Sequence, residues 1–297
     1  MFGKTNMDLS IIIVTFNSEG TIKDCIDSVI ETVKKVKFEI IVSDNSLNNE
    51  TEETLKTYGD KISYIKNNDN LGFSKANNVA VKKAKGEYVL FLNPDTKVYE
   101  GTIDGMMEFI DSHPGCGVAT CFVELPSGQL DDSSHRGFPT PWRAFSHFSG
   151  LSKTFGKNKL FGGYNLTYLD ISQSHEIESA AGSFMLVPKK VGDVIGWWDE
   201  DFFFYGEDID FCYRVKEKGY SVWFVPDYKA LHMKGISSGI KKVSQGVTTA
   251  SEETRRLATH HRFRAMEIFY DKHYKNKYPY LVTSLVRLGI KAKKLLS

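Results

Sequence analysis

A run dominated by β-branched residues near the start of the chain most constrains its fold. Residues 10–15 read Ser-Ile-Ile-Ile-Val-Thr, a pattern typical of a strand buried on both faces of a parallel sheet. Apolar residues then recur at helical spacing from Ile22 to Val33, and residues 39–43 return to the strand pattern. Because parallel strands need a crossover connection, this order predicts a β-α-β unit and the start of a doubly wound α/β fold.

The alternation of helical and strand patterns continues along the chain. It predicts helices near residues 50–58, 74–84, 102–112 and 189–195, strands at residues 62–65, 87–92, 118–123 and 220–225, and a return to ordered structure at residues 177–187. Between residues 130 and 174 the periodicity gives way to Gly, Ser, Pro and aromatic residues, which is typical of a functional loop region. We therefore predict one α/β domain over residues 1–235, with an irregular region at about 130–174.

The C-terminal residues 236–297 have a different character. Residues 235–249 are rich in Gly, Ser and Lys and predict a flexible segment. A basic helix is predicted from residue 252 to 274, and an amphipathic basic helix over the tail from residue 281. The tail helix suits a membrane surface, docking on the domain itself, or the interface of a homodimer. The sequence leaves these alternatives open.

Charge and cysteine usage disfavour several classes of protein. The formal net charge is +1, so there is no overall field that would attract nucleic acid, and we expect no nucleic-acid partner. The four cysteines lack C-x-x-C spacing and are expected to be reduced core residues. The apolar run at residues 9–14 is too short for a signal peptide, and no stretch approaches the ~20 apolar residues of a membrane span. We therefore expect a cytoplasmic protein, peripheral on the cytoplasmic face of the membrane if its tail binds lipid.

Three carboxylates crowd into four residues at Glu207, Asp208 and Asp210, directly after an aromatic run and Gly206. At the mouth of a pocket, a close carboxylate pair can raise one pKa and leave a base suited to taking a proton from a hydroxyl. The alternative is a solvated, acidic first turn that complements the helix dipole. The segment alone does not decide between these two interpretations.

Polar residues stand where the predicted strands end. They are Thr15 and Asn17, on either side of Phe16, after the first strand, Asp44 and Asn45 after the second, Asn70 with Gly72 before the next helix, Asn93 and Asp95 after the strand at 87–92, and His232 near the end of the domain. A parallel sheet brings the carboxyl ends of its strands to one edge, where ligands collect. The sequence therefore predicts one composite site, although each residue alone also fits an ordinary turn or loop.

The residue types at this edge suggest individual roles. Asp44 can accept a hydrogen bond from a base or a ribose hydroxyl, and the backbone at Asn70 and Gly72 can approach a diphosphate. Asp95 is a hard oxygen ligand suited to Mg²⁺ or Mn²⁺, with His232 as a second contact to the metal or phosphates. Residues 17–20 contain no G-x-G-x-x-G, and the chain contains no G-x-x-x-x-G-K-[ST], which disfavours a dinucleotide-dependent dehydrogenase and a P-loop enzyme.

An ordered series of motifs resembles the family 2 glycosyltransferases, which have the GT-A fold. The series reads S-I-I-I-V-T-F-N-S at residues 10–18, V-S-D-N-S at 42–46, N-L-G-F at 70–73, A-N-N at 76–78, L-N-P-D-T at 92–96, A-G-S-F at 181–184 and F-Y-G-E-D-I-D at 204–210. The resemblance runs from about Leu9 to His232. It implies a nucleotide-binding, Rossmann-like mixed sheet that is mainly parallel and flanked by helices, followed here by a C-terminal helical extension.

The resemblance also implies roles for residues that match the family motifs. Those that would bind the nucleotide-sugar donor are Thr15, Phe16, Asn17, Asp44, Asn45, Asn70, Gly72, Asn77 and Asn93. Asp95 and His232 would hold Mg²⁺ or Mn²⁺, although Asn93 stands where the family's D-x-D motif has its first Asp. Asp208 would be the catalytic base, and Glu207 its neighbour.

The motif variants look most like the rhamnosyltransferase branch, which implies dTDP-L-rhamnose as donor. The reaction implied is inverting transfer of the sugar to a hydroxyl of a glycan or lipid-linked acceptor in cell-surface polysaccharide synthesis, with acceptor choice assigned to the irregular region at 130–174. Three alternatives stay open: the same fold using a UDP-hexose, another sugar-nucleotide enzyme such as a nucleotidyltransferase, and a sugar-nucleotide or glycan-binding module without catalysis. The nucleotidyltransferase is disfavoured because the first strand is not followed by a Gly-rich basic loop.

Overall fold

The computed structural model describes residues 7–233 and 252–295. Its strands are β1 (Leu9–Thr15), β2 (Phe38–Asp44), β3 (Ile62–Lys66), β4 (Tyr88–Leu92), β5 (Thr96–Val98), β6 (Cys116–Glu124), β7 (His175–Ile177), β8 (Phe184–Pro188) and β9 (Ser221–His232). Its helices are α1 (Ile22–Thr32), α2 (Glu50–Leu55), α3 (Gly72–Val81), α4 (Thr102–Ser112), α5 (Pro141–Phe148), α6 (Leu151–Thr154), α7 (Lys159–Gly162), α8 (Lys189–Ile195), α9 (Glu207–Glu217), α10 (Glu252–His273) and α11 (Tyr280–Leu295).

The described strands form one mixed sheet with the order β3-β2-β1-β4-β8-β6-β9-β5, and β7 pairs with β9 beside this path. Strand β1 pairs in parallel with β2 and β4, and β2 pairs in parallel with β3. Strand β8 runs antiparallel to both of its neighbours, whereas β6 and β9 pair in parallel. The mixed, mainly parallel sheet expected from the sequence is thus confirmed.

The continuous apolar character of β1 follows from burial on both faces of the sheet. Ile11 and Ile13 belong to a core cluster that includes residues of α1 and α4, such as Ile26. Ile12 points to the opposite face and belongs to a second cluster with residues of α3 and α9, such as Phe211. Since successive strand side chains alternate between faces, both sides of β1 need apolar residues.

The first of the two C-terminal helices, α10, packs against α9. Helix α10 contributes Phe269 and Tyr270 to an aromatic cluster that also contains Phe202 and Tyr213. The buried carboxylate of Asp210 on α9 accepts hydrogen bonds from His273 and Arg214, each at 2.7 Å, and forms an ion pair with Lys272 at 2.7 Å.

Burial acts against the charged form of Asp210, but these partners lower the pKa of the carboxyl to about 2. Helix α11 in turn docks on α10, where the Tyr270 and Thr283 hydroxyls lie 3.0 Å apart. The expected C-terminal helical extension is therefore present and is anchored to α9 by a buried charge.

The structure refines several boundaries. The region expected to be irregular contains three short helices, α5 to α7, which are too short for their periodicity to stand out. The ordered segment expected at 177–187 begins at the end of β7 and ends within β8, and a loop separates these two strands. The predicted domain boundary at residue 235 and the predicted flexible segment at 235–249 lie outside the described residues. Within 7–233 and 252–295, no helix is both long and apolar enough to cross a membrane.

Candidate active site

The carboxylate of Asp44 is fixed at the carboxyl end of β2. The register of the sheet places Thr15 opposite Asp44, and the Thr15 hydroxyl donates to Oδ1 at 2.8 Å. Tyr64 and Lys66 on β3 donate to Oδ2 at 2.7 and 3.3 Å, and the Ser46 amide donates to Oδ1 at 2.8 Å. Burial acts to raise the pKa of Asp44, but hydrogen bonds from Ser46, Tyr64 and Thr15 hold it below its usual value. The end of β2 thus holds a hydrogen-bond acceptor that is ionised at neutral pH.

The turn after β1 adjoins this carboxylate. Phe16 is half-buried, whereas Asn17 is exposed and has a positive φ of 51°. The Asn17 amide donates to the Ser46 hydroxyl at 2.8 Å, which ties the two strand ends together. Asparagine tolerates this left-handed conformation better than most residues. The predicted residues Thr15, Phe16, Asn17 and Asp44 therefore lie together at one edge of the sheet.

Asn45 organises the loop that leads into α3. Its Nδ2 donates to the Gly72 carbonyl at 3.1 Å, and its Oδ1 accepts from Asn67 at 2.9 Å and from the Leu71 amide at 3.3 Å. The Asn70 side chain accepts from the Gly72 amide at 3.1 Å. The predicted residues Asn45, Asn70 and Gly72 thus form one hydrogen-bonded unit.

Gly72 is required at its position for two physical reasons. Its φ of +77° is strained for other residues, and a Cβ there would lie 2.5 Å from the Phe203 carbonyl oxygen. That same oxygen accepts from the Phe73 amide at 2.8 Å. The loop before α3 is therefore in direct contact with the aromatic run that precedes α9. Asn77, also predicted at the site, is buried within α3, and its amide donates to the Phe73 carbonyl at 2.9 Å.

Asn93, Asp95 and His232 meet beyond the end of β4. The pairing of β5 with β9 sets Thr96 opposite His232, so the His232 ring lies beside Asp95, with Nε2 at 3.2 Å from Oδ1. The Asn93 amide is 3.4 Å from the same nitrogen. On the other side of the ring, Nδ1 is 3.1 Å from Asp131, a neighbour that the sequence did not indicate. Burial opposes the charge of the ring, but the two carboxylates raise the pKa of His232 to about 9.

The Asp95 and His232 pair fits part of the coordination shell of a hard divalent cation. The 3.2 Å between Oδ1 and Nε2 is close to the ~3 Å that separates adjacent ligands of an ion bound at about 2.0–2.2 Å. Asp131 lies on the far ring nitrogen and cannot join them. Across the described residues no three His, Cys, Asp or Glu side chains converge as a metal site. An ion here would take its remaining ligands from water and phosphate oxygens, as Mg²⁺ commonly does.

The three carboxylates at the start of α9 have three different environments. Tyr205 and Gly206 both have positive φ, at 72° and 82°, and this tight turn presents the first residues of the helix. Asp208 accepts from Arg136 at 2.7 Å through Oδ2 and from the Ile209 amide at 2.8 Å through Oδ1. Asp210, described above, joins α9 to α10. The neighbouring carboxylates therefore have different surroundings: Asp208 pairs with Arg136, whereas Asp210 joins two helices.

Of the three carboxylates at the start of α9, Glu207 is the one with an unmet hydrogen-bonding capacity. Its carboxylate is buried, and Oε2 has no hydrogen-bond partner within the part of the chain that the structure describes. Burial, together with the negative charge of Asp208, raises the pKa of Glu207 well above its ordinary value. A buried carboxyl of this kind is common at functional sites, because strain and unusual pKa values concentrate there.

Comparison with known proteins establishes the family to which the chain belongs. A sequence profile described as "Glycosyl transferase family 2" matches residues 10–169, which is more than half of the chain. The chain belongs to glycosyltransferase family 2. A second profile, "Glycosyl transferase family group 2", matches residues 140–264. The resemblance noted from the strand-end motifs is thus confirmed, and the chain is a glycosyltransferase.

Several named members of the family are distant relatives. The rhamnosyltransferase WbbL of Escherichia coli K12 is 29% identical over 75% of this chain and 82% of its own length. The low-salt glycan biosynthesis hexosyltransferase Agl10 of Haloferax volcanii is 28% identical over 77% of this chain and 68% of its own length. An N-acetylglucosaminyl-diphospho-decaprenol L-rhamnosyltransferase of Mycobacterium tuberculosis H37Rv is 24% identical over 75% of this chain and 72% of its own length.

Solved structures support the fold. GalNAc-T7, crystallised with UDP, GalNAc and Mn²⁺, matches 91% of this chain and 58% of its own with a TM-score of 0.57 at 17% identity. TarS residues 1–349 of Staphylococcus aureus match 76% of this chain and 60% of their own with a TM-score of 0.53 at 20% identity. This chain therefore spans less than two thirds of each solved chain, and the match concerns the GT-A architecture alone.

Proposed function

We propose that the protein is an inverting sugar transferase that uses dTDP-L-rhamnose and glycosylates a hydroxyl of a glycan or lipid-linked acceptor in cell-surface polysaccharide synthesis. The observation that carries the proposal is the shared position of three features at one sheet edge. These are the Thr15 and Asp44 pair, the Asp95 and His232 pair, and the start of α9, which Phe203 joins to the loop at Gly72. Two rhamnosyltransferases among the relatives support the donor.

A UDP-hexose is the second candidate donor. The relative from Haloferax volcanii is described as a hexosyltransferase, and a TarS structure contains UDP. Both candidates are nucleoside diphosphate sugars, so the contacts at Thr15, Asp44 and Gly72 serve either. The two candidate donors must therefore be distinguished by which sugar the enzyme transfers.

In the proposed reaction Asp208 accepts the proton of the acceptor hydroxyl. The hydroxyl oxygen forms a bond to the anomeric carbon while the bond from that carbon to the diphosphate oxygen breaks, so the configuration inverts. Asp208 ends protonated, and the nucleoside diphosphate leaves with the bonding electrons. A positioned base of this kind contributes about 10² to 10⁴ in rate.

Asp95 and His232 are the proposed metal-holding residues on the donor side of the site. Asp95 and His232 would hold Mg²⁺ or Mn²⁺, which when bound supplies neutralisation of charge on the departing diphosphate. His232 must give up the proton that its raised pKa favours before Nε2 can ligate. We expect Asp95→Ala to weaken donor binding in a Mn²⁺ titration. Equal donor affinity with and without chelator, in the wild type and in this variant, would refute the metal role.

A panel of nucleotide sugars tests the function. We expect nucleoside diphosphate release and a thermal shift with dTDP-L-rhamnose, and Asp208→Asn should lose about 10² or more in rate while its donor affinity stays unchanged. The control is Asp201→Asn, which removes the same charge from an exposed position nearby. Wild-type turnover in Asp208→Asn would remove its role as base. Donor binding without turnover in the wild type would favour a binding module.

We also propose that the tail helix contacts the cytoplasmic face of an anionic membrane. Thr283 and Val286 face α10, so docking on the domain accounts for one side of α11. The opposite stripe, with Leu281, Leu285 and Leu288 at i, i+4 and i+7, is 60–70% exposed. Helix α11 has four Lys and Arg residues and no acidic residue, which complements anionic lipid. A lipid-linked acceptor would lie at the same surface.

Vesicle flotation tests the tail. The wild type should float with phosphatidylglycerol-containing vesicles and less with pure phosphatidylcholine, and Leu285→Glu should abolish flotation. Val194→Glu, at a helix position of similar exposure (57% against 60%), is the control. A wild type that stays in solution would refute the proposal. A dimer in solution that Leu285→Glu converts to monomer would assign the stripe to a homodimer instead.

A further inference from the structure

Arg136 is a buried cation that no sequence motif singled out. It lies in the segment after the turn at Asp132–Ser134, and its backbone is held as if in a strand. The Arg136 amide donates to the Ser179 carbonyl at 3.1 Å, and the Ser179 amide donates back at 2.9 Å. The side chain, 14% exposed, reaches Asp208, itself 14% exposed, with 2.7 Å between Nη2 and Oδ2. A guanidinium on a fixed backbone therefore contacts the proposed base directly.

A purely structural ion pair is the simplest alternative, and Arg214 shows what such an arginine is like in this chain. All three of its nitrogens donate at 2.7 Å, to the Asp210 carboxylate and to the carbonyls of Ile195 and Trp197. Arg136 differs, because its buried Nε has no hydrogen-bond partner among residues 7–233 and 252–295. Leaving a charged donor unmatched is costly, and such groups concentrate where function requires them.

We propose that Arg136 is the positioning residue for the catalytic base Asp208. Its guanidinium holds one carboxylate oxygen while the Ile209 amide holds the other. The carboxylate is thereby kept in one orientation as it accepts the proton of the acceptor hydroxyl. This inference rests on the proposed transfer reaction.

The charge balance at the start of α9 supports this role. Asp208 stands beside Glu207, and two ionised carboxylates in a buried place would repel each other. Arg136 places its positive charge 2.7 Å from Asp208. Glu207 Oε2, in contrast, has no hydrogen-bond partner among residues 7–233 and 252–295, and burial raises the pKa of Glu207.

Steady-state kinetics of the full chain test the proposal, with dTDP-L-rhamnose and UDP-glucose as probes and water as the acceptor. We expect Arg136→Met to lower kcat for nucleoside diphosphate release about 10- to 100-fold, because small misplacement of a catalytic group costs this much. The donor KM should change less than about twofold, since the proposed role of Arg136 is to orient the base that it contacts. Arg136→Lys, which keeps the charge but loses the planar fork, should recover part of kcat.

Arg143→Met is the matched control. Arg143 also forms a partly buried pair, with Glu178 (20% and 29% exposed), and lies in the same region without touching Asp208. Because water replaces the acceptor in this assay, we expect the kcat of Arg143→Met for nucleoside diphosphate release to remain at the wild-type value. Equal losses in both variants would assign the effect to packing and overturn the proposal, as would a wild-type kcat in Arg136→Met. Added guanidinium that restores kcat in Arg136→Ala would support it.

The outcomes also separate this inference from the reaction it rests on. If the wild type releases no nucleoside diphosphate from any donor, the proposed function fails. If the wild type and Arg136→Met turn over equally while Asp208→Asn does not, the function stands and the role of Arg136 is refuted. Urea unfolding of each variant checks that a lost rate does not reflect a lost fold.

Discussion

Replacing Asp210 by Asn tests the junction between α9 and the C-terminal helices. In the native state the pKa of this buried carboxyl is about 2, against an ordinary 3.8, which corresponds to about 2.5 kcal/mol of stability at neutral pH. The variant also leaves Arg214 without its counter-charge and removes one of the two carboxylates paired with Lys272, and breaking a buried pair in this way typically costs 3–5 kcal/mol. We expect a total loss of about 3–5 kcal/mol, measured as the free energy of urea unfolding at neutral pH.

The pH dependence of that loss checks its cause. Because the native pKa is lowered, the stabilisation is fully present above the unfolded pKa near 3.8 and disappears as the pH falls towards 2. The wild type should therefore approach Asp210→Asn in stability over this window. Asp271→Asn, which breaks a half-exposed pair with Arg287, should change the free energy of unfolding far less, because solvent screens such surface pairs. A loss below about 1 kcal/mol in Asp210→Asn, or one that persists unchanged at pH 2, would refute the reasoning.

Two further substitutions test the loop before α3 and a buried histidine pair. Gly72→Ala should cost about 2–4 kcal/mol in urea unfolding, since its Cβ would meet the Phe203 carbonyl at a positive φ. Gly59→Ala has a positive φ but open space around it, and an equal loss there would argue against the close contact. His135 lies 2.7 Å from His175, and burial with this neighbour lowers its pKa to about 4. Native stability should therefore fall by up to about 3 kcal/mol as the pH drops from 6.5 towards 4, and His135→Gln should flatten this dependence. If the stability of His135→Gln falls with pH as steeply as that of the wild type, the role of His135 in this pH dependence is refuted.

The fold could be predicted from the chain because its buried parallel strands have a local signature. The run at residues 10–15 is apolar on both faces, and the strand-end residues Thr15 and Asp44 follow from where such runs stop. The register of the parallel pairing between β1 and β2 then determines that these two residues lie opposite each other. Local pattern and sheet geometry agree at this edge, so the prediction needed no long-range contact.

The residues that escaped prediction are those set by tertiary contacts. Tyr64 and Lys66 reach Asp44 from a strand whose own pattern does not mark them, and Arg136 approaches Asp208 across 72 positions of sequence. Nothing in the spacing of a lone arginine within an irregular stretch indicates its partner. The short helices α5 to α7 escaped for a different reason, because one or two turns carry too few apolar positions to show a period.

The contact between Gly72 and Phe203 has a kinetic consequence. No space separates the loop at residues 70–72 from the segment that carries Asp208 a few residues later, and the Phe73 amide is hydrogen-bonded to the Phe203 carbonyl. A displacement of either segment must therefore move the other. An enzyme built in this way is expected to bind its substrates in a fixed order, with the nucleotide sugar first, and product-inhibition patterns would reveal that order.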